Sequence, residues 1–386
     1  MTLETTHPPR RYDLDWLRII AFILLIFYHT GMFYVTWDWH VKSRYASDAI
    51  EPLMLLVNPW RLELLFFISG VAARFMIDRQ GARVFAGSRF NRLFWPLLFG
   101  MLVIVPPQSL CQIMDKIHYA GSIGDFYLKY VTGYHGWCDA HDCLIVPTWN
   151  HLWYVAYLLA YCLILALLWP VLKRLPLGVL KTLPAWAYSV VPFLLFWLVR
   201  ATLMPMFGET HAFVGDWYVH VNSFGFFLAG VAAAKFDRLF TIAEKGRFLF
   251  LVLGLAAYGL VMLAFRTTTF DHMGETAWHI VGPTFKAAQA IFTLFALTGF
   301  ARHHLAGVDG PLRRTLTEAI FPFYIVHQTI IVVVGFTLKQ MHVPLIVEAT
   351  AILTATIAGC WITYLVVRAI PPLRPVFGMR LNAGKA

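Results

Sequence analysis

Apolar runs of roughly 20 residues, the length that carries a helix across about 30 Å of hydrocarbon, recur from one end of the chain to the other. Short polar segments rich in Arg, Lys, Gly and Pro separate them. The pattern predicts ten helices, near 14–36, 52–76, 93–113, 149–171, 185–207, 217–235, 248–266, 279–300, 316–338 and 343–368. Pro59, Pro96, Pro192 and Pro322 fall inside these spans, where neighbouring groups take up the freed carbonyls. The expected fold class is all-α, a polytopic integral membrane protein with about 10 transmembrane helices. A single domain over 1–386 is expected, with a tail at 1–12, an outer loop at 114–148 and a second tail at 369–386. The segment before Tyr12 has no cleavable signal pattern, so the first apolar run is expected to stay as a helix.

Composition agrees. Of 386 residues 59% are hydrophobic and 13% charged, which excludes an ordinary soluble enzyme. On a soluble chain the net charge of +10 would point to nucleic acid. Here it reports topology, and no nucleic-acid partner is expected. At the helix ends, 21 Lys and Arg lie on one side and 6 on the other, which orients both termini to the cytoplasm. The long outer loop holds YHGWCDAHDC, from Tyr134 to Cys143. Either Cys138 and Cys143 form a disulfide, or these cysteines with His135 and His141 hold a metal. The spacing fits no zinc pattern, so the disulfide is favoured and no metal is expected.

Four basic residues remain inside spans: Arg18, Arg61, Arg200 and Lys286. An ionisable group at that depth is a candidate functional group. Arg18 and His29 are eleven residues apart, close to three helical turns, so they share one face about 16 Å apart along the axis. Arg18 sits near the cytoplasmic end, and His29 lies deeper toward the outside. Arg61 and Glu63, Arg200, Lys286, His151 with Trp153, and His327 are assigned to the outer half or the middle of their helices. Plainer roles compete for each. Arg61 and Glu63 can serve as interhelical glue, and Arg200 and Lys286 can snorkel to the interface. His151 can belong to an aromatic belt with Trp149 and Trp153. His29 and His327 can be neutral packing residues.

Taken together, these motifs resemble the membrane acyltransferase-3 family. The resemblance rests on Arg18 with His29, PWRLELLFFISG at 59–70, RFNRLFWP at 89–96, HLWYV at 151–155 and FPFYIVHQTI at 321–330, in one order along nearly the whole chain. Within the family, the Trp-Arg before LLFFISG and the FYIVHQ ending are similar to the type that succinylates periplasmic glucans. The resemblance implies an acyltransferase of the bacterial inner membrane, and a fused hydrolase domain of the kind some members carry is not expected here. Its donor would be acyl-CoA, succinyl-CoA ahead of acetyl-CoA, and its acceptor an extracytoplasmic glycan.

The predicted depths suit that chemistry. Arg18, Arg89 and Arg92 are placed to hold CoA phosphates at the cytoplasmic mouth. His29 is the candidate general base, or alternatively a nucleophile that forms an acyl-histidine. Glu63 is the best carboxylate by depth to orient it. Arg61 or Lys286 would stabilise an oxyanion, and Arg61, Arg200 or Lys286 would hold the free carboxylate of a succinyl group. His151, Trp153 and His327 complete the expected substrate site. Trp37, Trp39, Trp137, Trp149 and Trp217 are further candidates for stacking on a sugar. The competing class is a transporter or exporter of a glycan or small anion, against which stands the lack of an inverted repeat with paired broken helices.

Overall fold

The computed structural model describes residues 10–139, 143–266 and 275–381. Its α-helices are α1 Tyr12–Tyr34, α2 Glu51–Gln80, α3 Ala82–Phe99, α4 Pro106–Lys116, α5 Ile123–Val131, α6 Trp153–Leu172 and α7 Ala187–Phe207. They continue as α8 Trp217–Ala233, α9 Asp237–Lys245, α10 Arg247–Arg266, α11 Glu275–Leu305, α12 Pro311–Met341 and α13 Leu345–Ala369. Among the described residues there is no strand, and an isolated bridge pairs Cys138 with Cys143. The all-helical fold is as the apolar pattern predicts, and the chain is a multi-pass membrane protein.

Among the described residues, nine helices are long and apolar enough to cross a bilayer, where ten were expected. The tenth exists as α8, but it has only 17 residues, about 25 Å at 1.5 Å per residue. It lies tight against α2. A Cβ on Gly70 would sit 1.9 Å from the carbonyl oxygen of Phe227, and one on Gly230 would sit 2.0 Å from that of Phe67. Two glycines thus let two backbones cross in mutual contact, the usual device where lipid supplies no hydrophobic drive.

Two further boundaries shift. The segment RFNRLFWP, only half of which falls in the span expected at 93–113, is helical throughout. Ala82–Lys116 forms one long span in which the π-helical stretch Gly100–Ile104 joins α3 to α4. The wider turn frees carbonyls for side chains: Tyr130 donates to Met101 O at 2.9 Å, Tyr127 to Leu102 O at 2.9 Å, and Thr329 to Ile104 O at 2.8 Å. The outer loop at 114–148 also contains α5, capped by Ser122, whose hydroxyl accepts from the Asp125 amide at 3.1 Å. Cys138 and Cys143 are joined as a disulfide. That overrides the metal alternative, whose His141 lies outside the described residues. All four span prolines are inside helices.

Candidate active site

The register of α1 places His29 where α1 meets α12, and there it finds a second histidine. His29 Nδ1 lies 2.7 Å from His327 Nε2, and the rings stack with centroids 5.0 Å apart. The protons follow from the partners. His327 Nδ1 is 2.8 Å from the Tyr324 carbonyl and 3.2 Å from that of Phe323. A carbonyl only accepts, so this nitrogen carries the hydrogen and Nε2 of a neutral His327 carries a lone pair. His29 Nδ1–H therefore donates to His327, which leaves the lone pair of neutral His29 on Nε2.

His151 lies against the same pair, its ring 5.2 Å from His327 and 6.5 Å from His29. Its Nε2–H donates to Ile325 O at 3.0 Å. Its Nδ1 faces the Gln108 amide at 3.4 Å. Gln108 also donates to Thr329 Oγ1 at 2.6 Å, and its carbonyl accepts from Asn150 and Gln328, each at 3.0 Å. Gln328 further donates to His40 Nε2 at 3.0 Å, and His40 Nδ1–H donates to Gln112 at 2.7 Å. Gln108 and Gln328 are fully enclosed. A satisfied buried amide network fixes ring orientations more firmly than apolar packing does.

Part of this network borders a cavity of about 790 Å³ whose wall includes His29, His40, His151 and Arg61. The Arg61 guanidinium lies over the Tyr28 ring at 3.5 Å and donates to Asn58 O at 3.0 Å. Its Nε is buried without a hydrogen-bond partner. Five tryptophans, Trp37, Trp39, Trp137, Trp149 and Trp153, also line the wall. Trp217, expected among them, is outside it. The loop between α7 and α8 adds Glu209 and His211. Trp153 stacks on His211 at 3.9 Å, and Trp149 donates to the His211 carbonyl at 3.0 Å. The loop is pinned from below by buried Asp216, which accepts from the Tyr157 hydroxyl, while Tyr157 accepts from the Phe213 amide at 2.8 Å. Desolvation would raise the partly exposed Glu209 carboxyl, but the charge of His211, whose Nε2 faces it at 3.5 Å, with Arg200 and Arg61, brings it down to about 2.

Several expected site residues lie elsewhere. Glu63 does not reach His29; it accepts from Asn222 at 3.3 Å and faces Arg200 at 3.9 Å. The position expected for an orienting carboxylate is held by His327. His327 is itself behind His29 and off the cavity wall, so it is not placed to touch a substrate. Arg200 lies over Tyr218 and Lys286 sits on α11, and neither borders the cavity. Gln108, Gln112, Gln328, His40 and Glu209 were missed. A signal was present for two of them, because Gln108 and Gln112 stand four apart on one face of a short helix beside apolar neighbours. Among the described residues, no three His, Cys, Asp or Glu side chains are placed to share a metal ion.

Arg18, Arg89 and Arg92 do come together at the opposite end of α1. Arg18 faces Asp15 at 3.8 Å, Arg18 and Arg89 act on each other as like charges, and both act on Arg92. The Nε atoms of Arg18 and Arg89 are buried without hydrogen-bond partners. Three buried rings stand between this cluster and the histidines. Phe22 is 6.3 Å from Tyr154 and 5.3 Å from Tyr324, and the two tyrosines are 6.2 Å apart.

The chain is similar to curated proteins called Glucans biosynthesis protein C. The one from Salmonella paratyphi B (strain ATCC BAA-1250 / SPB7) is 28% identical over 108 residues, 28% of each chain. The Salmonella heidelberg (strain SL476) protein gives the same figures, and that of Salmonella gallinarum is 26% identical over the same length. The matched stretch thus spans 28% of these relatives' own length. No solved structure matches. The acyltransferase domain of the acyltransferase-3 family matches residues 11–365, the arginine cluster, the histidines and every membrane-crossing helix but the end of α13 included; the chain belongs to that family.

Proposed function

We propose that the protein is an O-acyltransferase that takes an acyl group from cytoplasmic acyl-CoA and gives it to a hydroxyl of an extracytoplasmic glycan. The observation that carries this reading is the His29–His327 pair, which gives His29 a lone pair on Nε2 at the edge of a cavity. Such a nitrogen is suited to general-base chemistry. It takes the proton of the acceptor hydroxyl as the oxygen attacks the thioester carbonyl. The carbon–oxygen bond forms, the carbon–sulfur bond breaks, and the departing thiolate recovers the proton from the His29 imidazolium. The unpartnered Nε–H of Arg61 supports a role for Arg61 in stabilising the oxyanion.

The arginine end is the donor side in this reading, because planar guanidinium groups suit phosphate oxygens. The pantetheine arm then runs along α1, and Phe22, Tyr154 and Tyr324 have to part to let the thioester through. The tryptophans of the wall suit a carbohydrate acceptor. The disulfide suits an oxidising compartment on that side of a bacterial inner membrane. Succinyl is the favoured acyl group, from the likeness to relatives named for glucan biosynthesis, and acetyl is the second choice.

The test offers acetyl-CoA and succinyl-CoA in parallel to purified wild type and H29A with a glucan acceptor. Release of CoA and labelling of the glucan by wild type, and neither by folded H29A, is the expected result. An H29A protein as active as wild type would reduce His29 to a packing residue. Inactivity of both proteins toward both donors would favour a transporter.

A further inference from the structure

The segment that follows α13 folds back under α3. Two short turns, Pro371–Leu373 and Pro375–Phe377, bring Phe377 onto Phe99, with ring centroids 5.3 Å apart. Gly378 then reverses the chain at φ 66°, and a Cβ there would lie 2.3 Å from the Phe321 ring. Only glycine accepts both the conformation and the space. Met379 is buried, and its amide donates to Arg374 O at 2.8 Å. The Arg374 guanidinium donates to the Arg368 carbonyl and to the Leu381 carbonyl, the latter at 2.8 Å. Arg374 thereby staples the chain on both sides of Arg380.

This anchoring has a direction. Phe99 and Arg92 are seven residues apart on α3, two turns along one face. Phe377 thus packs on the same face of α3 that carries Arg92. Arg380 is among the like charges acting on Arg92, together with Arg89 and Arg18. The carboxylate that faces Arg18, Asp15, is shared: it meets Arg313 at 2.5 Å and Arg10 at 3.0 Å, and Arg18 only at 3.8 Å. Arg92 thus feels three further guanidinium charges, of which that of exposed Arg380 comes from the folded-back segment. That arrangement is costly alone and favourable around a polyanion.

We infer that Arg380, carried by the folded-back segment, is a fourth phosphate-binding arginine of the donor site. The inference rests on the acyl-CoA reading above and adds to it a part of the chain outside the motifs that suggested that reading. Arg374 is the positioning residue, and the ligand class is a polyphosphate-bearing donor. An anionic lipid headgroup offers the same chemistry, so the experiment separates the two.

The test titrates CoA and 3′,5′-ADP calorimetrically into wild type, R380Q, R380K, R18Q and R314Q, with melting temperatures measured alongside. Losing one charge-assisted phosphate contact is expected to weaken CoA binding about tenfold in R380Q. R380K should recover most of it, because the charge is kept, and R314Q, whose arginine pairs with Asp309, should bind as wild type. If R380Q binds CoA as wild type while R18Q does not, this inference fails and the proposed function stands. If wild type binds neither CoA nor 3′,5′-ADP, both fail. Equal loss in R380K and R380Q with lowered melting temperatures would make the segment a structural prop only. If R380Q loses phosphatidylglycerol retention in nanodiscs but keeps its CoA affinity, the site belongs to lipid and the inference is overturned.

Discussion

His327 donates its Nδ1–H to the Tyr324 carbonyl and turns its Nε2 lone pair toward His29 Nδ1, 2.7 Å away. One histidine thus sets the tautomer of the other without touching the cavity. H327A should lower kcat about 100-fold, the scale of losing an orienting partner, while the KM for the donor stays put. H327Q should recover part of the rate, since its amide oxygen can accept from His29. A rise in donor KM at unchanged kcat would return His327 to the substrate site.

Arg200 and Glu63 form a pair enclosed between α2, α7 and α8. Breaking a buried pair leaves one charge uncompensated and typically costs about 3 kcal/mol. R200Q should therefore melt well below wild type, and the double variant R200Q/E63Q should regain much of the loss. Full stability of R200Q, with succinyl transfer lost and acetyl transfer kept, would instead make Arg200 a receptor for the acyl carboxylate.

Glycine at 70 is a geometric requirement, because a methyl group there meets the Phe227 carbonyl at 1.9 Å. G70A should force α2 and α8 apart, and G70V should leave almost no monodisperse protein on size-exclusion chromatography. A G70V protein with wild-type yield and activity would mean the two helices cross less closely than described.

Glu209 is held at about 2, below its ordinary 4.5. A carboxyl lowered by folding contributes stability that is complete above its unfolded pKa and lost as pH falls toward the folded one. E209Q should melt below wild type at neutral pH, and the gap should persist at pH 4.5 and close only toward pH 2. A gap already closed at pH 4.5 would mean that Glu209 titrates like a free carboxyl.

Periodicity and depth carried much of this site, and their limits explain the misses. Eleven residues on one helix fix Arg18 and His29 to one face whatever surrounds them, and the basic cluster follows from where three arginines fall along the axis. Depth is one coordinate, however. Glu63 has a suitable depth but belongs to another interface, while His327 lies 298 residues from His29 in the chain and beside it in space. Which helix neighbours which is settled by packing, such as the Gly70–Gly230 crossing, that no period in the sequence states. The glutamines were passed over because single amides in an apolar helix look incidental until their partners converge. The C-terminal turns carry no periodic signal at all.

The rings of Phe22, Tyr154 and Tyr324 also bear on energy conservation. A membrane protein with a charged mouth at one end and a polar, histidine-lined hollow at the other is halfway to being a proton leak. Protons cross such a gap along chains of hydrogen-bonding groups, and the phenyl ring of Phe22 offers none. The tyrosine hydroxyls are tied up locally, one with Ser69 and one with the His151 carbonyl. Closed rings would then insulate the bilayer at this point, and on the proposed reaction each passage of a thioester would interrupt that insulation.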